Sequence, residues 1–252
     1  MRRMLGVACG GVAWWLVSCR DIPAPVGGVL SVSQIILPLP GVVFQDTMRD
    51  SLGVVAPLNF IAFGPTNDTV NAEKSFIVLD TGAHMGGAGG AFLVADSFNL
   101  TVRVVGSVEA VQTQPASVIL TQSPDTLVAA DSTEQHRTYT LASGDTVVNA
   151  DLKTLVRHRP DAGVAAVIVK YVIEQAPAGV LNKGPAVVLV NGNVLSSRDT
   201  TDANGIASLA ARLRLAALPP PLATDTAVVS ANASYKGRSI GRVVFTVIYT
   251  KQ

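Results

Sequence analysis

Four kinds of residue in this sequence are of the type that does chemistry: two thiols, three imidazoles, one carboxylate at the end of an apolar run, and a string of glycines. The imidazoles, His84, His136 and His158, lie far apart. They lack the short spacing with which His and Cys share a metal ion, and no Cys pair is available to complete a site. The carboxylate is Asp80 in Ile77-Val78-Leu79-Asp80-Thr81-Gly82-Ala83. Two carboxylates that share one proton can activate water between them, the second coming from another loop or from a second copy of the chain, and no second Asp-Thr/Ser-Gly occurs in the chain. The run Gly86-Gly87-Ala88-Gly89-Gly90 lacks the Lys-Ser/Thr that completes a phosphate cradle. The stretch Thr200–Ala211 can be aligned on Gly205 as a calcium loop, but this puts Thr200 first and Ala211 at the bidentate position. An alanine cannot bind a cation there, which leaves weak loop calcium as the alternative. No cofactor and no metal is expected. The thiols remain, and of these Cys19 has the more informative surroundings.

Arg2 and Arg3 are followed by an uncharged run from Met4 to Ser18, closed by Arg20 and Asp21. About fifteen apolar or small residues suit the core of a secretory signal, whereas a membrane-spanning helix needs roughly twenty. The end of the run, Leu16-Val17-Ser18-Cys19, resembles the bacterial lipobox, in which an aliphatic residue and small ones precede a cysteine. The resemblance implies that residues 1–18 form a lipoprotein signal peptide. Cys19 would take up diacylglycerol on its thiol, and cleavage before it would free an amine for a further acyl chain. Cys9 follows Gly6-Val7-Ala8 and lacks the aliphatic residue three places upstream. The alternative is an ordinary secretory signal cut nearby. Two or three acyl chains, at about 0.8 kcal/mol per buried methylene, suffice for a stable membrane anchor. Residues 19–28, with Pro23, Pro25, Gly27 and Gly28, read as a short extended tether. Arg20 stands where lipoproteins kept at the inner membrane often carry Asp, so the resemblance points to the outer membrane of the bacterial envelope.

Composition narrows the rest. Removing Arg2 and Arg3 from the 19 basic residues leaves 17 against 18 acidic ones, so no basic field exists to attract nucleic acid. Removal of the signal also takes Trp14, Trp15 and Cys9, which leaves one thiol and no internal disulfide. The chain is 48% hydrophobic and 15% charged, with only four Glu residues. That bias towards Val, Ala and Thr favours strands over helices.

From Val29 onward short apolar runs alternate with turn clusters, and no stretch keeps a helical period. The fold class expected is all-β, with two tandem immunoglobulin-like sandwiches: one over residues 29–115 and a second over 116–252, opening with Ser117-Val118-Ile119-Leu120-Thr121. The cleanest alternation is Leu209-Ala210-Ala211-Arg212-Leu213-Arg214-Leu215, with odd positions facing a core. The segment Thr126–Thr146 is irregular, Leu218-Pro219-Pro220-Pro221-Leu222 reads as an insertion, and Arg157-His158-Arg159 as a solvated strand end. The first domain is assigned by strand number and spacing alone. In the second, Asp199-Thr200-Thr201-Asp202-Ala203-Asn204-Gly205-Ile206-Ala207-Ser208 resembles the T-T-D-x-N-G-x-A signature of bacterial immunoglobulin-like domains of the invasin and intimin type. Asn204 and Gly205 both tolerate positive φ, and Asp202 can cap the turn through its side chain.

The Asp80 stretch resembles an aspartic protease active-site loop, yet Val104-Val105-Gly106 comes too soon for the glycine that packs over such a loop. A strand running into a glycine-rich loop is the reading adopted. The expected function is therefore non-enzymatic: a lipid-anchored envelope protein serving as a structural, adhesive or protein-binding module. Its partners would be the membrane, through Cys19, and an envelope or extracellular protein or glycan. The first alternative is a glycan-binding lipoprotein. Sugar platforms favour exposed Trp or Tyr, and beyond the signal there is no Trp and only Tyr139, Tyr171, Tyr235 and Tyr249, with Tyr171 and Tyr249 placed in core-like strands. The second alternative is a periplasmic hydrolase using Asp80.

Overall fold

The structure is a computed structural model and describes residues 28–140, 147–177, 185–214 and 224–251. The expected signal peptide, Cys19, the tether up to residue 27 and the Leu218–Leu222 insertion lie outside the described residues. The described chain is all-β, with immunoglobulin-like sandwiches, and its only helical element is one 3-10 turn, Ala88–Gly90.

In the second domain the period-two alternation generates two sheets. One runs in the order Thr126–Ala129, Val147–His158, Ile206–Arg214, Val187–Asn191, Val194–Leu195. The other runs Glu134–Tyr139, Arg238–Lys251, Thr224–Tyr235, Ile168–Gln175, Arg198–Thr200. These are the A-B-E-D and G-F-C orders of an immunoglobulin sandwich. Ala207, Leu209, Ala211 and Leu213 point inward against Tyr171, Val229, Phe245 and Tyr249, while Arg214 is exposed. The stretch expected to be irregular contains an opening strand divided between the sheets. Thr126–Ala129 joins the first sheet, and Glu134–Tyr139 crosses to pair parallel with Arg238–Lys251.

The first domain closes in the same way. Its main sheet has the order Gly41–Val43, Ala116–Thr121, Leu100–Val108, Ser75–Val78, with Gly41–Val43 parallel to Ala116–Thr121. The opposite layer is assembled from fragments: Ser31–Val32, Ala62–Phe63 and Thr69–Val70, and the hairpin Ala83–Gly86/Phe92–Ala95. Phe60, Met48, Leu93, Val102, Val104, Val118 and Leu120 fill its core.

Three expectations are corrected. Ala116–Thr121, expected to open the second domain, is the last strand of the first, because its ladder partners are Leu100–Val104 and Gly41–Val43 and its buried side chains join the first core. The boundary therefore moves to Gln122-Ser123-Pro124-Asp125. The glycine-rich run is not wholly loop: Ala83–Gly86 is a strand paired with Phe92–Ala95. Gly87 adopts φ +77° at the turn, with the Phe92 ring so close that a Cβ would meet it at 2.4 Å. His158 is not merely solvated. Its Nδ1–H donates to Ser123 O at 2.8 Å and lies 3.1 Å from Asp125 Oδ2, while Asp125 N–H donates to Arg157 O. The linker is thus clamped to the second domain.

Candidate functional site: the interdomain cleft

The residues that face one another between the domains come from two turns. In the first domain the chain leaves Gly41–Val43 and reverses through Gln45, whose φ is +56°. The turn places Asp46 with only 8% of its surface exposed. Asp46 Oδ1 accepts the Thr47 amide at 2.9 Å, a local side-chain-to-backbone bond typical of Asp in turns. Arg49 closes a fork on it, with Nε to Oδ2 at 2.8 Å and Nη2 to Oδ1 at 3.0 Å. Its Nη1 reaches on to Gly53 O at 2.8 Å. In the second domain the strands Thr224–Tyr235 and Arg238–Lys251 meet at a two-residue turn, Lys236-Gly237, both at positive φ. That is the hairpin geometry whose twist matches its strands. It points Tyr235 at the first domain, where its hydroxyl donates to Asp46 Oδ2 at 2.6 Å. Lys236 Nζ lies 3.4 Å from Asp46 Oδ1 and 5.4 Å from the centre of the Tyr235 ring.

Burial pushes the Asp46 carboxyl up. The hydrogen bonds from Arg49, Tyr235 and the Thr47 amide outweigh it and hold the group down at about 2. Burial, reinforced by the hydrogen bond to Asp46, pushes the Tyr235 phenol the other way, upward. A carboxylate so poised is too weak a base for proton transfer near neutrality. The cluster is suited to holding two bodies together.

A second contact lies at the base of the cleft. A Cβ at Gly41 would meet Ala166 Cβ at 2.5 Å and Ile119 O at 2.8 Å, so only glycine permits this approach of the domains. Ala166, itself at φ +62°, is held by a residue of the quoted signature. Buried Thr201 donates from Oγ1 to Val164 O at 2.7 Å and accepts the Val167 amide at 2.9 Å, and its carbonyl accepts the Ala166 amide. Between these contacts opens a cleft of about 450 Å³, walled by residues 46, 47 and 49–53 of the first domain and by Lys170, Arg198, Asn232 and Ser234 of the second.

The signature residues work locally. Thr200 pairs with Ile168. Asp202 Oδ1 accepts the Asn204 and Ile206 amides at 2.8 and 2.9 Å, so this oxygen caps the turn. Of the two residues that tolerate positive φ only Gly205, at +79°, adopts it, in the tight turn that carries the chain from Arg198–Thr200 of one sheet to Ile206–Arg214 of the other. A Cβ there would strike Val156 O at 2.4 Å and Val164 N at 2.6 Å.

Asp80 meets a cation, not a second carboxylate. Oδ2 accepts the Arg103 amide and Nε at 2.7 and 3.0 Å, and Oδ1 accepts Nη2 at 2.8 Å. The bond from the Arg103 guanidinium holds the carboxyl below the usual carboxylate range. His84 sits 2.7 Å from Asp96 and His136 2.9 Å from Glu134, at separate places. Among the described residues no group of three or more His, Cys, Asp or Glu gathers around a common point. Asp46 and Arg49 escaped sequence reasoning, and Tyr235 entered it only as an aromatic on which a sugar could stack. The partners stand 189 positions apart, and the only local signal was a Lys-Gly turn ahead of a strand.

No protein-family model and no curated protein matches the chain. Solved structures similar to it include the adhesin InvE of Yersinia pseudotuberculosis, at 15% identity and TM-score 0.34, covering 84% of this chain and 56% of that one. Domains EC1-3 of mouse clustered PcdhgC3 overlap at 13% identity and TM-score 0.33, covering 70% and 54%. The surface-layer protein SbsC, domains 4-9, overlaps at 11% identity and TM-score 0.30, covering 89% and 31%. The chain spans about half of the first two and a third of the last. These overlaps are shallow, and the fold assignment rests on the strand orders given above.

Proposed function

We propose that the protein is a non-enzymatic, lipid-anchored module of the bacterial envelope, a two-sandwich arm that serves adhesion or protein binding from the outer membrane. The observation that carries the arm is the hydrogen bond from Tyr235 to buried Asp46, which ties one sandwich to the other through a charge-assisted contact. The anchor is supported by Leu16-Val17-Ser18-Cys19 after an uncharged run. The resemblance of residues 199–208 to invasin- and intimin-type domains supports the adhesive reading. Tyr139, Tyr171 and Tyr249 are buried and Lys236 covers the Tyr235 ring, so the tyrosines supply no stacking face for a sugar. That favours a protein partner over a glycan.

Metabolic labelling with a palmitate analogue, followed by membrane fractionation, tests the anchor. The wild type is expected to be labelled and membrane-bound, and Cys19→Ser unlabelled and released. A serine variant held as firmly as wild type would overturn it. A pull-down of the protein against envelope proteins, peptidoglycan and glycans tests the binding half, with capture of a protein expected and capture of glycans alone contradicting it.

A further inference from the structure

We infer that the interdomain cleft is a binding site for an acidic, partly apolar polypeptide segment, with Lys170 and Arg198 as the anion-binding pair. This rests on the binding half of the proposed function and is independent of the anchor.

Lys170 and Arg198 are directly opposite each other on neighbouring antiparallel strands, and both are exposed. Like charges at such positions repel. Among the described residues neither side chain has an ion-pair or hydrogen-bond partner, although every other cation of the cleft does. Arg49 and Lys236 are engaged by Asp46. Of the cleft's two carboxylates, Asp46 is saturated by donors, and Asp50 accepts through Oδ1 the Leu52 and Val54 amides of its own loop at 2.9 Å. The wall is thus left with two free positive charges side by side. An anion placed between them relieves their repulsion and gains two charge-assisted hydrogen bonds, one from a planar guanidinium suited to a carboxylate.

The opposite wall decides what else the ligand carries. Leu52, at the tip of the loop that Asp50 and Arg49 brace, keeps 76% of its surface exposed at the mouth of the cleft. A ligand that satisfies both walls has a carboxylate on one side and an aliphatic group on the other. An extended peptide with Asp or Glu beside aliphatic residues has that alternation. An acidic sugar would meet the two cations equally well but would find no free aromatic face, since the one tyrosine of the cleft lies under Lys236.

Fluorescence anisotropy tests the assignment, with the full-length protein in detergent micelles and a dye-labelled peptide of alternating glutamate and leucine. Saturable binding is expected that weakens as salt shortens the screening length from about 10 Å towards 3 Å. Lys170→Gln with Arg198→Gln should weaken it at least ~tenfold, the loss expected from removing charge-assisted bonds, with a melting temperature no lower than that of the wild type, since the opposed charges repel. Arg214→Gln, exposed on the other sheet, should bind as wild type. The proposal is overturned if the glutamine-for-glutamate peptide binds equally, if the double variant keeps its affinity, or if the wild type does not bind the acidic peptide. Displacement by polygalacturonate at lower concentration than by unlabelled peptide would instead assign the cleft to acidic glycans. Should the peptide fail while the pull-down still captures an envelope protein, the cleft assignment falls and the binding module stands. Failure of both removes both.

Discussion

In the second sandwich Val147–His158, Thr224–Tyr235 and Arg238–Lys251 run for 12, 12 and 14 residues. In the first, the layer facing the main sheet consists of pieces of two to four residues. Both domains nonetheless close with a last strand parallel to part of an early one. They differ in how the backbone is satisfied. Long ladders pair it continuously, whereas the fragments use side chains: Asn59 Oδ1 accepts the Phe60 amide, Ser33 Oγ the Ile61 amide, and Asp46 Oδ1 the Thr47 amide. A buried amide must be paired, but the partner need not be a strand. One topology therefore tolerates either a regular or a patchwork layer, and the patchwork one presents more turns. Those turns carry Asp46, Asp50 and Leu52, so the irregular domain supplies one wall of the cleft and the regular one the wall with Lys170 and Arg198.

Core truncation should separate the two construction modes most strongly. Leu209→Ala, in the ladder-built core, should cost about 4 kcal/mol and Leu93→Ala, in the patchwork core, about 3, because a looser layer relaxes further into the cavity. Denaturant unfolding of each variant measures this, and equal losses would break the comparison. Next come the turn glycines. Gly205→Ala, with backbone on three sides and φ +79°, should cost about 3 kcal/mol. Gly53→Ala, at φ +82° with nothing within 4 Å of the new methyl, should cost only about 1.

The junction ranks third. Asp46→Asn should remove about 2 kcal/mol, the scale of a carboxyl lowered from 3.8 to about 2. Tyr235→Phe, which takes away one donor and leaves Arg49 and the Thr47 amide in place, should remove a smaller share. Since the folded carboxyl is the more acidic one, this contribution is present above about pH 4 and fades as pH falls towards 2. Melting curves across that range should show the wild type losing an advantage that Asp46→Asn never had. The smallest effect belongs to Asp80→Asn, which breaks an exposed pair with Arg103. Its melting temperature should match wild type, and a peptidase assay should give the same reading for both proteins.

How far these features could be read from the chain depends on their range. Leu209, Ala211 and Leu213 alternate visibly, and their burial follows from the strand period alone. The Asn204-Gly205 turn was legible too, although which of its residues takes positive φ depended on Val156, Gly163 and Val164 packed against it. Ala116–Thr121 was legible as a strand but not as a member of the first domain. A strand's sequence encodes which side chains face inward, not which neighbours pair with its edges. The Phe92 ring over Gly87 turned an apparent loop into a hairpin by a contact that no local pattern announces. The cleft was illegible for the same reason: Asp46 and Tyr235 belong to different domains, and Lys170 and Arg198 are ordinary surface cations until register sets them opposite each other.

By itself the sequence determined what depends on neighbours a few bonds away: strand periodicity, the positions of the turns, the capping role of Asp202, and a body with no charge excess. Tertiary structure alone decided which sheet each strand joined, how Gly41 lets the sandwiches meet, and which charges lost their solvent or stayed unpaired. The division follows from range. Dihedral preferences and side-chain alternation act within a few residues of the chain, whereas burial and Coulomb pairing act across space between residues that the sequence holds far apart.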